Sequence, residues 1–382
     1  MVQQICSRCI YDASLPNISF DEEGVCNYCQ EIDTLNEIYP NGNSGRVELD
    51  RIVAKIKKSG KGKKYDAIIG VSGGCDSSFL LHHLTVEHNL RLLAVHFDNT
   101  YNSTIATENI NAVLTKLDID LFTVVVDNNE FDDLLLAHLK AGVKEIENPT
   151  DIGLATTMNI AAEKFGIKYK MDGHSFRTEG SAPTGWIYMD AKYIQSVHKQ
   201  FGKKKMKTFP NLWLHKQLKW MLFNRIKSIR PLYYMDYDKE AAKKMLTETY
   251  GWQWYGGHHL ENRTASFLHS YFFPKRWGID FRIAGYSAYC RDGRMTRDEA
   301  LALMKEEPHI EDGLLDYMKT RLKLSDGELE DLMNLPKKHY TDFKTYKRTF
   351  EILRPFFYLM AKFDLIPMSF YLKYTVKQNA EN

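Results

Sequence analysis

Residues 72 to 78 read Ser-Gly-Gly-Cys-Asp-Ser-Ser, and the segments on either side of them constrain this chain more than any other feature. Upstream, Tyr65 to Val71 is an apolar run of the kind that fills a buried strand, and downstream Phe79 to Glu87 reads as a helix. A strand that stops at paired glycines and resumes as a helix turns tightly and presents successive backbone N–H groups, with the positive end of the helix dipole behind them. Ser72, Gly73, Gly74, Ser77 and Ser78 therefore form an expected phosphate cradle, the hydroxyls adding donors. The plainer alternative is a strand–turn–helix corner capped by Ser and Asp, and the seven-residue run in this context weighs against it.

No lysine follows the second glycine, and Asp76 stands where a kinase-type loop places a cation. The run instead resembles the PP-loop of the ATP pyrophosphatases, which cleave ATP between its α and β phosphates and leave AMP on an acceptor oxygen. That resemblance implies ATP as cosubstrate and Mg²⁺ on the leaving pyrophosphate, with Asp76 as its carboxylate ligand.

Apolar strands and helices alternate from about Val47. Expected strands are Tyr65 to Val71, Leu92 to Asp98, Leu121 to Val126, Lys168 to Asp172 and Arg230 to Tyr234, which argues for an α/β fold with a doubly wound parallel sheet. Polar residues cluster at the strand ends, where such sheets bind ligands: the Ser72 loop, then Asp98 and Asn99, then Asp172, Gly173, His174 and Ser175. Asp98 and Asn99 are candidates for the adenosine half of ATP, or simple turn formers. Residues 1–45 read as a zinc-ribbon module ending in the linker Asn41 to Gly45, and 46–240 as the nucleotide domain, with an insertion at about 186–228. Residues 241–382 read as a mainly helical substrate or partner region. The Lys203 to Lys205 run is expected to be a solvated face.

Cys6, Cys9, Cys26 and Cys29 follow C-x2-C-x16-C-x2-C, the spacing of a four-thiolate zinc site, with no open coordination position and hence a structural role. Disulfides are the rival; the absence of an export signal or an apolar run long enough to span a bilayer points to a reducing, cytoplasmic setting with no membrane partner. Cys75 and Cys290 read as packing residues. A net charge of +2 argues against a broad nucleic-acid footprint.

Met171-Asp172-Gly173-His174, followed by Glu179, is similar to a second signature of PP-loop enzymes. It makes Asp172 and His174 catalytic candidates, and Gly173 and Glu179 nucleotide or metal contacts. Further on, Gly256, Gly257, His258, His259, Glu261 and Arg263 offer close backbone approach and polar side chains for a substrate, while Lys275 and Arg276 could neutralise phosphates or a sugar acid.

Taken with Cys6-x2-Cys9-Ile10-Tyr11-Asp12, Ile18 to Asp21, Gly24 to Cys29 and Trp254-Tyr255-Gly256-Gly257, these segments resemble the N-acetyl sugar amidotransferase family, through about Leu303. The resemblance implies an enzyme of lipopolysaccharide O-antigen or nonulosonic-acid biosynthesis that converts the acetamido group of a nucleotide-activated sugar to an acetamidino group. No cysteine sits in a glutaminase-type elbow, so the chain is expected to lack glutaminase activity; a separate glutaminase is expected, and the resemblance implies a synthase-like subunit that channels its ammonia. The nearest alternative is a zinc-ribbon PP-loop enzyme of tRNA modification, which the scarcity of cysteines after the loop disfavours. A degenerate nucleotide sensor is disfavoured by the intact Gly73, Gly74, Asp76 and Ser77.

Overall fold

The computed structural model describes residues 4–180, 183, 186–257, 259–363, 365–366 and 368–375. Five strands, β1 (Ala67–Gly70), β2 (Leu92–Asp98), β3 (Leu121–Val125), β4 (Tyr169–Met171) and β5 (Lys227–Ile229), pair in the order β3-β2-β1-β4-β5. Every neighbouring pair is parallel, with Ile69 beside Ala94 on one side and Met171 on the other. The helices in chain order are α1 (Asn27–Ile38), α2 (Gly42–Ser59), α3 (Cys75–Val86), α4 (Thr104–Leu117), α5 (Asn128–Ala141), α6 (Asn148–Lys164), α7 (Ala191–Phe201), α8 (Leu214–Leu222) and α9 (Lys239–Tyr250). Then come α10 (Arg263–Phe267), continued by a π-helical stretch Leu268–Trp277, α11 (Arg282–Arg291), α12 (Arg297–Leu303), α13 (Leu314–Leu322), α14 (Asp326–Asn334), α15 (Lys347–Ile352), α16 (Arg354–Lys362) and α17 (Met368–Thr375).

Alternation along the central strands sends side chains to two apolar layers. Ala67, Ile69, Leu92 and Ala94 pack with α2, α3, α4 and α9, whereas Ile68, Leu93 and Val95 pack with α6 and with Trp220 of α8. Burial on both faces is why β1 and β2 read as continuous apolar runs. The edge strand β3 leaves Leu121 and Val125 exposed. A second core joins α5, α7, α10, the π stretch, α13 and α14 through Phe131, Ile194, Phe267, Phe272, Met318 and Leu332. Residues 186–228 are therefore built into both cores rather than appended.

Three expectations shift. The fifth strand is Lys227–Ile229, not Arg230 to Tyr234, because Pro231 lacks an N–H and opens a 3-10 turn over Pro231–Tyr234. The supposed linker at Asn41 to Gly45 is the first turn of α2. Residue 240 falls inside α9, whose Leu246 belongs to the sheet layer together with Trp252 beyond it.

The strand order reverses between β1 and β4, and the loops leaving these two strands flank the resulting crevice. One close approach fixes the layer behind it: a Cβ on Gly153 of α6 would lie 2.3 Å from the ring of Phe97 on β2. Replacing Gly153 by Ala should destabilise the fold by about 1–3 kcal/mol through overpacking, read as a lower denaturant midpoint at unchanged slope.

Candidate active site at the strand switch point

The turn after β1 is held in shape by backbone it cannot do without. Gly73 has φ +82°, and a Cβ there would stand 2.2 Å from the Ala106 carbonyl oxygen. Its own carbonyl accepts from the Trp252 indole N–H at 3.0 Å and the Asn109 amide at 3.2 Å. Ser72 Oγ accepts the Gly74 N–H at 3.2 Å, and Ser77 Oγ donates to the Gly74 carbonyl at 3.2 Å. Ser78 is buried in the first turn of α3. His96 on β2 supports the strand end: Nδ1–H donates to the Val71 carbonyl at 2.7 Å, so Nε2 accepts from Asn102 at 2.9 Å.

Asp76 opens α3 and is the centre of a buried charge cluster. Its carboxylate accepts from Tyr237 OH at 2.5 Å and from Lys239 Nζ at 2.8 Å, and shares a hydrogen bond with Glu179. Burial alone would raise the Asp76 carboxyl, but the Lys239 ammonium and the hydrogen bonds from Glu179, Lys239 and Tyr237 outweigh it and hold it below the usual range. Glu179 goes the other way: burial, then the charge of Asp76, push it well above. The two carboxyls are thus set apart, Asp76 toward its charged form and Glu179 toward its protonated one. Burial alone would lower the Lys239 ammonium, but the Asp76 carboxylate beside it outweighs this and holds it above its usual range.

The loop after β4 supplies Glu179 and packs against the start of α3, since a Cβ on Gly173 would sit 3.4 Å from the Ser77 nitrogen. Asp172 accepts the His174 N–H at 3.1 Å and Arg230 Nε at 3.3 Å. His174 Nε2 lies 3.0 Å from the Gly180 carbonyl and must carry the proton; Nδ1 then accepts from Tyr233 OH at 2.9 Å. Burial lowers the His174 pKa, in keeping with a neutral ring.

A strap over residues 252–263 closes the other side. Tyr255 OH accepts the Cys75 N–H at 3.3 Å, and Ser72 Oγ donates to Glu261 Oε1 at 3.1 Å. Glu261 is 8% exposed, and its Oε2 is buried with no hydrogen-bond partner among the described residues. The strap is anchored where Ser103 N–H donates to the Glu261 carbonyl at 2.9 Å and Arg263 N–H to the Tyr101 carbonyl at 2.8 Å. Gly256 (φ +97°) passes His309, Gly257 abuts Leu260, and His259 takes φ +62°. His258 lies outside the described residues.

Several expected contacts are committed elsewhere. Asn99 bonds the Tyr101 N–H, Thr150 Oγ1 and the Asn262 amide, tying β2 to the strap, while Asp98 caps the turn at Thr100 and Asn102. Arg263 pairs with Glu311 at 3.2 Å and stacks on Tyr317. Arg276, read as a phosphate or sugar-acid partner, is buried and donates to the carbonyls of Met333 and Leu335 at the end of α14; it satisfies a helix terminus. Lys275 is exposed, its ammonium over the Tyr271 ring at 4.6 Å. Conversely, Tyr237 and Lys239 carry no local motif and escape sequence reading, although they touch the central aspartate.

The four cysteine sulfurs lie within 4.8 Å of one another, with edges of 3.8, 3.8 and 3.6 Å, and all four thiols are free of disulfides. Metal–sulfur bonds of about 2.3 Å in a tetrahedron require edges near 3.8 Å, so the donor set fits a metal site. Arg291 on α11 donates to Cys29 Sγ and Cys9 Sγ at 3.3 Å each, and Arg297 on α12 to the Cys6 carbonyl at 2.8 Å.

Residues 261–355 match the family model described as the LPS biosynthesis protein WbpG-like, C-terminal domain. This agrees with the lipopolysaccharide biosynthesis family that the sequence resembles. An uncharacterized protein of Methanocaldococcus jannaschii, MJ1599, is 28% identical over 170 residues, 44% of this chain and 58% of its own length. The chain thus spans well under two thirds of that relative. Loose structural overlaps join it to NMN synthetase from Francisella tularensis (TM-score 0.28, 14% identity, 60% of this chain and 94% of that one) and to NH3-dependent NAD synthetase from Campylobacter jejuni (0.33, 11%, 77% and 98%). A third overlap is with the U34-tRNA thiolase NcsA from Methanococcus maripaludis with its [4Fe-4S] cluster (0.31, 14%, 88% and 91%). At these scores they carry no argument about activity.

Two outcomes follow from the geometry. Because Glu179 keeps its proton in the folded state above the pKa at which the unfolded side chain loses it, wild-type stability relative to Glu179→Gln should fall as pH rises from the ordinary carboxyl range to the elevated value. The slope approaches about 1.4 kcal/mol per pH unit, measured by denaturant titration across pH. Arg291→Leu should lower the affinity of the cysteine site for added zinc by roughly 10–100-fold in a chelator competition, as the loss of an outer-sphere partner does.

Proposed function

We propose that this chain, whose residues 261–355 form a WbpG-like domain of lipopolysaccharide biosynthesis proteins, is an ATP-dependent amidotransferase acting on a nucleotide-activated N-acetyl amino sugar. The observation that carries the reading is Asp76 at the mouth of the glycine turn, joined to Glu179 and Lys239 across the strand switch point. In the proposed reaction the acetamido oxygen attacks the α-phosphorus of ATP, a P–O bond forms, and the bond to pyrophosphate breaks. Ammonia then adds to the activated carbon, loses a proton, and AMP leaves with the former amide oxygen.

Each residue has a matching task. The N–H groups of the turn and the start of α3 meet phosphate oxygens, and in-line positioning supplies much of the rate. Asp76 and Glu179 offer hard oxygen donors suited to a magnesium ion, which when bound would neutralise charge on the departing pyrophosphate. Lys239 is the cation best placed to follow that charge. The unpartnered Oε2 of Glu261 beside the loop lacks a donor, which an amide N–H of the sugar or incoming ammonia would provide. The edges between cysteine sulfurs favour a single tetrahedral ion, zinc, over a cluster that would interpose its own metals. Among the described residues, neither remaining cysteine offers a glutaminase-type nucleophile: Cys75 is buried against Tyr237 OH, and Cys290 faces the Thr296 carbonyl. A partner glutaminase would feed ammonia to this site in the cytoplasm. A tRNA-modifying role gains no support from these thiols.

Incubation with ATP, Mg²⁺, ammonium and a panel of UDP- and CMP-linked N-acetyl sugars should yield AMP and pyrophosphate in equal amounts, with one sugar changing mass by replacement of O with NH. Formation of ADP, or turnover of free glutamine by the isolated chain, would count against the proposal. Asp76→Asn should cut kcat by about 10²–10³ while the fold persists, checked by the same assay and a melting curve.

A further inference from the structure

Seven of the fifteen exposed large apolar side chains of the described residues fall between Ile352 and Leu365. Phe356 and Leu359 are exposed on α16, and Ile352, which ends α15, and Phe363, the C-cap of α16, are 67% and 70% exposed, so the apolar stripe runs over α16 and both its ends. The opposite side of the same helix is apolar as well, but there Phe357 and Met360 are buried against Phe350 and Leu218, so the helix is seated and its outer stripe is surplus to the core. Phe223, 82% exposed, directly follows Leu222, which packs in that same cluster. A contiguous apolar surface of this kind marks an interaction site.

Charge selects the occupant. From residue 343 to the end of the sequence there are seven Lys and Arg against three Asp and Glu, a local excess of +4, whereas the remaining 44 basic and 46 acidic residues sum to −2. Arg348 and Lys362 are exposed beside the stripe. Aromatic and aliphatic side chains flanked by cations on a short helix are the composition of an element that lies in the plane of an anionic bilayer, its apolar side at the headgroup boundary and its cations meeting phosphates. No helix of the described residues is long and apolar enough to cross a membrane, and lying on one is a different demand. We propose that the α15–α16 face is a docking surface for an anionic lipid bilayer, which would hold the active site beside membrane-bound steps that consume its product. Most of α16 and all of α17 lie past the matched 261–355 domain, so this surface is set by segments outside it.

The full chain is tested by co-sedimentation with vesicles of phosphatidylglycerol and phosphatidylethanolamine, and with neutral phosphatidylcholine vesicles, at low and high salt. Binding to the anionic vesicles that weakens with salt and is at least tenfold weaker on neutral ones is expected. Phe356→Ser with Phe363→Ser, and separately Arg348→Gln with Lys362→Gln, should each lower it at least tenfold at an unchanged melting temperature. If either variant fails to fold, hydrogen exchange of the wild-type chain with and without anionic vesicles decides: slowed exchange of the α15–α16 amides on adding vesicles supports the surface and unchanged exchange overturns it. Equal binding to both vesicle types, no binding at saturating lipid, or a patch buried in a dimer that light scattering detects and Phe363→Ser dissociates would each overturn the proposal.

Discussion

Burying a carboxylate costs several kcal/mol unless charge and hydrogen bonds come with it, and at Asp76 those partners arrive from far apart in the chain. Lys239 and Tyr237 follow β5, Glu179 follows β4, and Asp76 itself follows β1. Satisfying one side chain therefore requires β1 and β4 to lie side by side, α9 to dock on α3, and the glycine turn to hold its left-handed residue. The strand reversal that opens the crevice and the ion cluster that fills its floor are two views of one requirement.

How much of this was legible follows from what each signal depends on. The Ser72 turn, the strands β1 to β4 and the cysteine quartet are local: they are written in adjacent residues whose glycine conformations, apolar runs or spacing have few physical solutions. Tyr237 and Lys239 are not, because a lysine five residues past a 3-10 turn resembles any surface lysine until α9 is placed. The fifth strand lies three residues ahead of its expected start because Leu232, Tyr233 and Tyr234 have strand-like side chains, while Pro231 opens a 3-10 turn in which Tyr233 meets Arg177 and Phe176. Arg276 was misjudged for a related reason. A guanidinium suits a phosphate and a helix's last carbonyls equally well, and nothing in the chain before folding distinguishes the two.

The strap from Trp252 to Arg263 shows how a second core can serve the first. It leaves the sheet layer at Trp252, crosses the glycine turn with Tyr255 and Glu261, and enters the helical core at α10. Tyr255 and Glu261 serve the turn directly, and among the strap's described residues the Oε2 of Glu261 is the buried side-chain polar atom left without a partner.

The contact between Arg291 and the cysteine cluster has a consequence for biosynthesis. Cys9 leaves the ribosome 282 residues ahead of the guanidinium that neutralises it. At about 5–20 residues per second, the four cysteines wait from roughly a quarter of a minute to a minute for their native guanidinium partner. Until then the sulfurs lack the guanidinium's hydrogen bonds, so a metal bound early would be held more weakly than in the folded chain.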